Sequence, residues 1–273
     1  MASVIARNYR NFARRQRLLT VPLARLPRLP DLLTTANLGC GVASILLVSQ
    51  GQLTIACVLV FAAALFDVFD GLAARALGGG TPLGAQLDSL ADMVSFGVAP
   101  GVLCYRLIGD PITSSLLEQG MNLDASMRIG YLTVLVIPVA SAWRLAKFNI
   151  DPRQTHGFLG LPTPANALFW SGLTLGLMDT APEELQFLER LNAWALLGIM
   201  LTLCILMLSE LPLPSLKFKH KGWKGNEVIF LLIGIGASLV LLYGVLAVPL
   251  VLIIYLLSPL WGKLFKNHVS SVR

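Results

Sequence analysis

Four aspartates, Asp67, Asp70, Asp88 and Asp92, lie within 26 residues of a sequence that is otherwise mostly apolar. On an α-helix, residues three or four positions apart share a face. Asp67 and Asp70 therefore form one acidic face, and Asp88 and Asp92 form another. An acid near the centre of a bilayer costs about 2.5 to 3.5 kcal/mol on insertion scales, and clustered acids also repel one another. Oxygen ligands of this kind favour Mg²⁺ or Mn²⁺ over Zn²⁺. The aspartates therefore predict a site for one or two divalent cations.

The two acidic faces are joined by a short glycine-rich segment, residues 77–83. A segment of this length predicts an antiparallel hairpin of two helices. A symmetric hairpin pairs Asp67 with Asp92, Gly71 with Asp88, and Arg75 with Gly84. Each glycine then faces a larger side chain, which either leaves room for a ligand or lets the backbones approach closely.

Acids inside a membrane have other uses besides metal binding. They form hydrogen bonds between helices, or they line a path for protons or cations, as in a cation transporter. Transporters are typically built from broken helices and inverted repeats, and neither is visible in this sequence. Metal held beside a membrane surface instead favours phosphate chemistry.

The elements that must position these acids follow from the composition. The 273 residues are 55% hydrophobic and 13% charged, against about 25% charged residues in a soluble domain. Apolar runs of roughly 15 to 23 residues are near the length that an α-helix needs to cross a bilayer. The composition predicts an all-α integral membrane protein with about eight transmembrane helices. The predicted spans are 33–51, 53–76, 86–108, 129–149, 163–179, 191–210, 227–243 and 245–262.

The distribution of basic residues predicts the orientation. With the N-terminus inside, every Lys and Arg except Arg106, Arg128 and Arg190 falls on one side of the predicted membrane. The positive-inside rule therefore predicts that both termini and the aspartate hairpin face the cytosol. Attraction to anionic lipid headgroups accounts for the net charge of +6 more simply than nucleic-acid binding does.

We divide the chain into a basic flank, 1–31, a membrane catalytic domain, 32–262, and a cytosolic tail, 263–273. The Arg-rich flank has two interpretations, an organelle transit sequence or a cytosolic segment held against the bilayer. No apolar core or cleavage site precedes Pro22, which favours the second interpretation. We therefore expect the inner membrane of a bacterium.

The full motif D-x2-D-G-x2-A-R-x8-G-x3-D-x3-D resembles the signature of the CDP-alcohol phosphotransferase family. The resemblance implies a core of six membrane helices, usually in a homodimer, to which this chain would add two C-terminal helices. It also implies metal ligands and a general base: Asp67, Asp70, Asp88 and Asp92 would bind the metal, and Asp92 would be the base. It further implies contacts to the CDP-linked donor from Asn37, Gly71, Arg75, Thr81 and Gly84. Asn37 has an alternative interpretation as a hydrogen-bonding residue between helices.

Three further segments bear on the acceptor alcohol. The motif continues from Asp88 to Pro100, the fourth span ends in R-L-A-K-F-N, and G-L-P-T-P-A follows. Together they resemble the phosphatidylserine synthase branch of the family, which implies transfer of phosphatidyl from CDP-diacylglycerol to L-serine. The candidate contacts to serine or phosphate are Arg144, Lys147 and Asn149; Lys147 departs from the branch, which more often has Arg there. The alternative is another CDP-diacylglycerol-dependent phosphatidyltransferase, such as a phosphatidylglycerol phosphate synthase.

Overall fold

The computed structural model describes residues 28–151, 158–179, 192–213 and 227–257. Most of the predicted basic flank, 1–31, and the whole predicted tail, 263–273, lie outside the described residues. The described chain is built almost entirely from helices, which confirms the all-α prediction.

In chain order the helices are α1 (Leu29–Ser49), α2 (Leu53–Ala76), α3 (Pro82–Glu118), α4 (Leu123–Ile150), α5 (Thr163–Asp179), α6 (Ala193–Leu208), α7 (Glu227–Tyr243) and α8 (247–257). A 3-10 turn, Gly244–Leu246, joins the last two. Two short antiparallel strands, β1 (Phe158–Leu159) and β2 (Pro212–Leu213), bring the start of α5 beside the end of α6.

Within the described residues, five segments are long and apolar enough to cross a membrane, namely α1, α2, α3, α4 and Ile233–Leu257. The apolar helix α6 is shorter, with 16 residues. The segment Ile233–Leu257 contains the turn at Gly244, whose φ is +54°, and a Cβ atom at Gly236 would lie 3.5 Å from Cγ2 of Val251. The two halves of this segment therefore lie side by side. The helical membrane fold is confirmed, whereas the number of eight spans stays a prediction.

Helix α3 extends past both ends of the predicted span 86–108. It contains two stretches of wider, π-helical turns, Met93–Val98 and Tyr105–Gly109. Pro100 follows the first stretch and has no N–H to donate to a carbonyl of the preceding turn, so a π-helical turn accommodates the missing hydrogen bond. Because the first stretch begins directly after Asp92, it sets how the acidic face of α3 is oriented relative to the rest of the helix.

Small residues let α3 pack closely against α4. A Cβ atom at Gly101 would lie 2.8 Å from Cδ of Pro138, and one at Gly97 would lie 3.1 Å from Cβ of Ser141. Helix α5 packs against α2 and α3 and is strongly enclosed, since residues 170–174 are all buried. Trp170 is the largest of the fully buried side chains among the described residues. The largest buried apolar cluster is formed mainly by α3, α4, α5 and α6, with contributions from α1 and α2.

The contact between α1 and α3 depends on a glycine. Oγ of Ser95 donates a hydrogen bond of 2.9 Å to the backbone oxygen of Asn37. A Cβ atom at Gly41 would lie only 2.7 Å from Cα of Ser95, which is closer than real Cβ contacts. The two helix backbones therefore meet at this position.

Gly41→Ala is expected to destabilise the protein by about 1 to 3 kcal/mol, because α1 and α3 must separate to admit the methyl group. This penalty exceeds the gain of at most about 1 kcal/mol in helix propensity. Gly39→Ala is the matched control, since a Cβ atom there meets nothing within 4 Å. Thermal unfolding of both variants in one detergent measures the difference, and equal midpoints would contradict the close packing.

Candidate metal centre and adjoining cavity

The hairpin of α2 and α3 brings three carboxylates together. Asp67 and Asp70 lie in the second half of α2, and Asp88 lies in the second turn of α3. One oxygen atom from each carboxylate lies within 4.8 Å of the other two. Asp70 is buried, and the other two are partly exposed. Three carboxylate oxygens at this separation fit a divalent cation that prefers oxygen ligands.

The charge of this cluster also fits a cation. Among the described residues, no Lys or Arg forms an ion pair with Asp67, Asp70, Asp88 or Asp92; the ion pairs are Arg106 with Asp110 and Lys147 with Glu210. Carboxylates that lie together in apolar surroundings need a compensating positive charge. The donor set is therefore suited to a metal in both ligand type and charge.

Asp92 lies one turn beyond Asp88 on α3 and stands outside the group of three. It is buried, with 9% of its surface exposed. Nδ2 of Asn37 donates a hydrogen bond of 3.2 Å to Oδ1 of Asp92, while Oδ1 of Asn37 has no hydrogen-bond partner. Asn37 thus bridges α1 and α3, as in the interhelical alternative, and it is not among the residues that line the cavity described below.

Helix α1 supplies a residue that the sequence analysis did not select. Thr34 is buried, and its Oγ1 lies 2.6 Å from Oδ2 of Asp70 and 3.0 Å from the backbone oxygen of Pro30. Its single hydroxyl proton is shared between these two acceptors. The available signal was its spacing, because Thr34 lies three residues before Asn37 and therefore on the same face of α1.

A cavity of about 150 Å³ adjoins the carboxylates between the arms of the hairpin. Its lining includes Asp70 and Asp88 at the metal side and Arg28, Asp31 and Thr34 from the start of α1 and the residue before it. The arms α2 and α3 each pack against α1 more extensively than against each other. The hairpin is therefore open. Of the two predicted arrangements, the structure has room for a ligand between the arms and not a close approach of their backbones.

The glycines and Thr81 define the shape of this cavity. A Cβ atom at Gly71 would meet nothing within 4 Å, so this position faces open space. A Cβ atom at Gly84 would lie 2.9 Å from Oδ1 of Asp31, so Gly84 faces α1 and not Arg75 as the symmetric hairpin predicted. Oγ1 of Thr81 accepts a hydrogen bond of 2.9 Å from the backbone N–H of Gly84 and caps α3. Arg75 is exposed and lies outside the cavity lining.

The three polar residues at the end of α4 have different partners, although Arg144 and Lys147 both line a small cavity beside the end of α6. Arg144 is buried, and its Nε has no hydrogen-bond partner among the described residues. Nζ of Lys147 lies 3.7 Å from Oε1 of Glu210, beyond the end of α6. Nδ2 of Asn149 donates a hydrogen bond of 3.0 Å to Oγ of Ser89, which lies between Asp88 and Asp92 on α3. Arg144 therefore lies in the interior and Asn149 contacts the hairpin. Lys147 lies at the surface beside Glu210.

Comparisons with known proteins agree with this geometry. A family model described as CDP-alcohol phosphatidyltransferase matches residues 28–207. The chain is 31% identical over 239 residues to a CDP-diacylglycerol–serine O-phosphatidyltransferase of Helicobacter pylori (strain J99), covering 87% of this chain and 91% of that protein. It is 34% identical over 191 residues to an archaetidylserine synthase of Methanothermobacter thermautotrophicus, covering 68% of this chain and 69% of that protein.

Proposed function

The chain belongs to the CDP-alcohol phosphatidyltransferase family, and on that premise we propose that it transfers the phosphatidyl group from CDP-diacylglycerol to the hydroxyl of L-serine. The products are phosphatidylserine and CMP. The observation that carries the proposal is the group of three carboxylates from both arms of a membrane hairpin, beside an open cavity. The acceptor follows from the relatives, whose names specify serine for two different lipid classes.

The metal is proposed to be Mg²⁺ or Mn²⁺, held by Asp67, Asp70 and Asp88 with Asp92 completing the ligands. The all-oxygen donor set supports this choice over Zn²⁺. When bound, such cations neutralise negative charge on a diphosphate and orient it for in-line displacement. The protein supplies the carboxylates that hold the metal and the cavity that admits the nucleotide.

Asp92 is proposed to be the general base. As the serine oxygen forms its bond to phosphorus, the bond from phosphorus to the CMP oxygen breaks and CMP leaves. A hydroxyl group is a weak nucleophile until its proton is removed, and a carboxylate within hydrogen-bonding distance can accept that proton. The hydrogen bond from Asn37 would hold the carboxylate of Asp92 in a fixed orientation.

The remaining contacts are proposals of the same kind. The donor would contact Gly71, Arg75, Thr81 and Gly84 around the hairpin turn, and Asn37 on α1. Gly71, Thr81 and Gly84 line the cavity, and the exposed Arg75 would reach the diphosphate from outside it. Arg144, Lys147 and Asn149 would contact serine or phosphate, with Arg144 best placed because its buried Nε has no partner.

The protein is integral to the membrane, and we further propose that it lies in a bacterial inner membrane with both termini and the active site facing the cytosol. The excess of basic residues on one side supports this orientation. The outward faces of α1 and α2 carry exposed apolar side chains, among them Leu46, Val58 and Leu65. Such faces suit contact with membrane lipids and with a second copy of the chain in a homodimer.

The proposed reaction is tested with the full-length protein in micelles that contain CDP-diacylglycerol and radiolabelled L-serine. We expect labelled phosphatidylserine and CMP in equal amounts when Mg²⁺ or Mn²⁺ is present, and neither product after EDTA treatment. Glycerol 3-phosphate replaces serine in a parallel reaction. CMP release with glycerol 3-phosphate but not with serine would overturn the assignment of the acceptor.

A further inference from the structure

The start of α5 carries buried polar atoms that have no partner. Asn166 is 0% exposed, and neither atom of its side-chain amide forms a hydrogen bond. Oγ1 of Thr163, which is 1% exposed, is also without a partner. Further along the same helix, Nε1 of Trp170 and Oγ of Ser171 are also buried without a hydrogen-bond partner. Buried polar groups are nearly always hydrogen-bonded, so a cluster of unpartnered ones is a candidate site for a polar ligand, an ion or water.

Neighbouring contacts place Thr163 and Asn166 at the depth of the aspartates. Ala167 of α5 packs in one cluster with Phe96 of α3 and Ala63 of α2. The next polar residues lie one helical turn from this cluster, toward the loop that joins α2 and α3. They are Thr163 on α5, Asp92 on α3 and Asp67 on α2. Asn166 lies between Thr163 and Ala167 on α5, so its depth along the helix is between that of the polar layer and that of the apolar cluster.

Helix α4 adds a positive charge to the same layer. Ser141 of α4 lies against Gly97 of α3, and Arg144 follows one turn nearer the end that carries the aspartates. Helix α4 packs against the stretch Met93–Val98, which directly follows Asp92, so Arg144 and Asp92 are neighbours in this layer. The layer therefore combines a guanidinium, an amide, a hydroxyl and a carboxylate, and Nε of Arg144 lacks a partner as the atoms of Asn166 do.

We propose that Asn166 and Thr163 bind the amino-acid end of the acceptor and thereby determine the specificity for serine; this rests on the proposed function. An α-amino acid presents a carboxylate and an ammonium group on one carbon. Arg144 and Nδ2 of Asn166 donate to the carboxylate, while Oδ1 of Asn166 and Oγ1 of Thr163 accept from the ammonium group. The serine hydroxyl then lies on the side of Asp92.

The donor cavity lies elsewhere, which makes the inference separable from donor binding. Its lining residues come from within three ranges, 28–34, 70–77 and 79–88. No residue of α4 or α5 is among them. Changes at Asn166 and Thr163 should therefore act on the acceptor and leave the binding of CDP-diacylglycerol almost unchanged.

The experiment compares Asn166→Leu and Thr163→Val with Thr174→Val in the full-length protein. Thr174 is also buried on α5, but its Oγ1 donates to the backbone oxygen of Trp170 and lies three turns from Thr163. Loss of hydrogen bonds to a charged ligand predicts a rise in the KM for serine of roughly 10- to 100-fold for Asn166→Leu and roughly 3- to 10-fold for Thr163→Val. The KM for CDP-diacylglycerol should change little, and Thr174→Val should resemble the parent protein.

Specificity is measured with 3-hydroxypropanoate, which lacks the ammonium group of serine, and CMP release is the readout. The parent protein is expected to prefer serine strongly, and Asn166→Leu to lose most of that preference. An equal rise in both KM values, or a Thr174→Val variant as impaired as Thr163→Val, would overturn the inference while leaving the reaction intact. Should Asn166→Leu fail to fold, Thr163→Val decides the question, because it exchanges only a hydroxyl for a methyl group. A parent protein that uses glycerol 3-phosphate and not serine would instead refute the proposed function.

Discussion

Asp88→Asn is expected to reduce the rate of phosphatidyl transfer by roughly 10³-fold or more, since a bound metal supplies several kcal/mol of transition-state stabilisation. The same result is expected for Asp67→Asn and Asp70→Asn, because the oxygens of all three lie within 4.8 Å of one another. An amide removes one negative charge from the site and offers one weaker oxygen ligand. Insertion into the membrane should be unaffected, since neutralising an intramembrane acid lowers its insertion cost.

Binding of Mn²⁺, followed by electron paramagnetic resonance, separates loss of the metal from loss of the fold. The three variants should bind Mn²⁺ much more weakly than the parent protein while unfolding at a similar temperature. Asp110→Asn is the matched control, because Asp110 lies on α3 as Asp88 does but forms an exposed ion pair with Arg106. Exposed ion pairs contribute little, so this variant should remain active. Near-normal turnover in any of the three would remove that residue from the proposed ligands.

The sequence was sufficient to predict that the carboxylates lie close together. Spacings of three and four residues put Asp67 and Asp70 on one helical face, and a short glycine turn returns the chain so that Asp88 faces them. Both features are local, and local geometry is strongly constrained by the helical repeat. The apolar runs likewise predicted helices, because a membrane requires every backbone group to be bonded within its own segment.

The contribution of α1 could not be predicted in the same way. The symmetric hairpin paired Arg75 with Gly84, whereas Asp31 of α1 lies where a side chain at Gly84 would be. Thr34 and Asn37 contact Asp70 and Asp92 across 36 and 55 residues of chain. Which third helix enters a hairpin depends on packing between distant segments, and helical spacing carries no information on it. The same limit applies to Asn166, because only the folded structure shows that its buried amide has no hydrogen-bond partner.

Asp92→Asn is expected to lower kcat by roughly 10²- to 10⁴-fold, the usual effect of losing a general base. Asn has nearly the same shape and can still coordinate weakly through its carbonyl oxygen, but it cannot accept the proton of the serine hydroxyl. Asp92 stands outside the group of three carboxylates, so Asp67, Asp70 and Asp88 should still hold the metal and the CDP-diacylglycerol. The affinity for the donor should therefore fall much less than turnover does.

Equilibrium binding of CDP-diacylglycerol and single-turnover rates, measured on the same preparation of Asp92→Asn, separate the two proposed roles of this residue. A general base contributes to the chemical step alone, so its loss lowers the single-turnover rate at saturating donor. Asn37→Leu is an informative companion, since it removes the hydrogen bond that holds Asp92 and keeps the carboxylate itself. It should lower the rate less than Asp92→Asn does. Donor affinity that collapses as far as turnover would make Asp92 chiefly a metal ligand, and the proton of serine would then have to pass to another group.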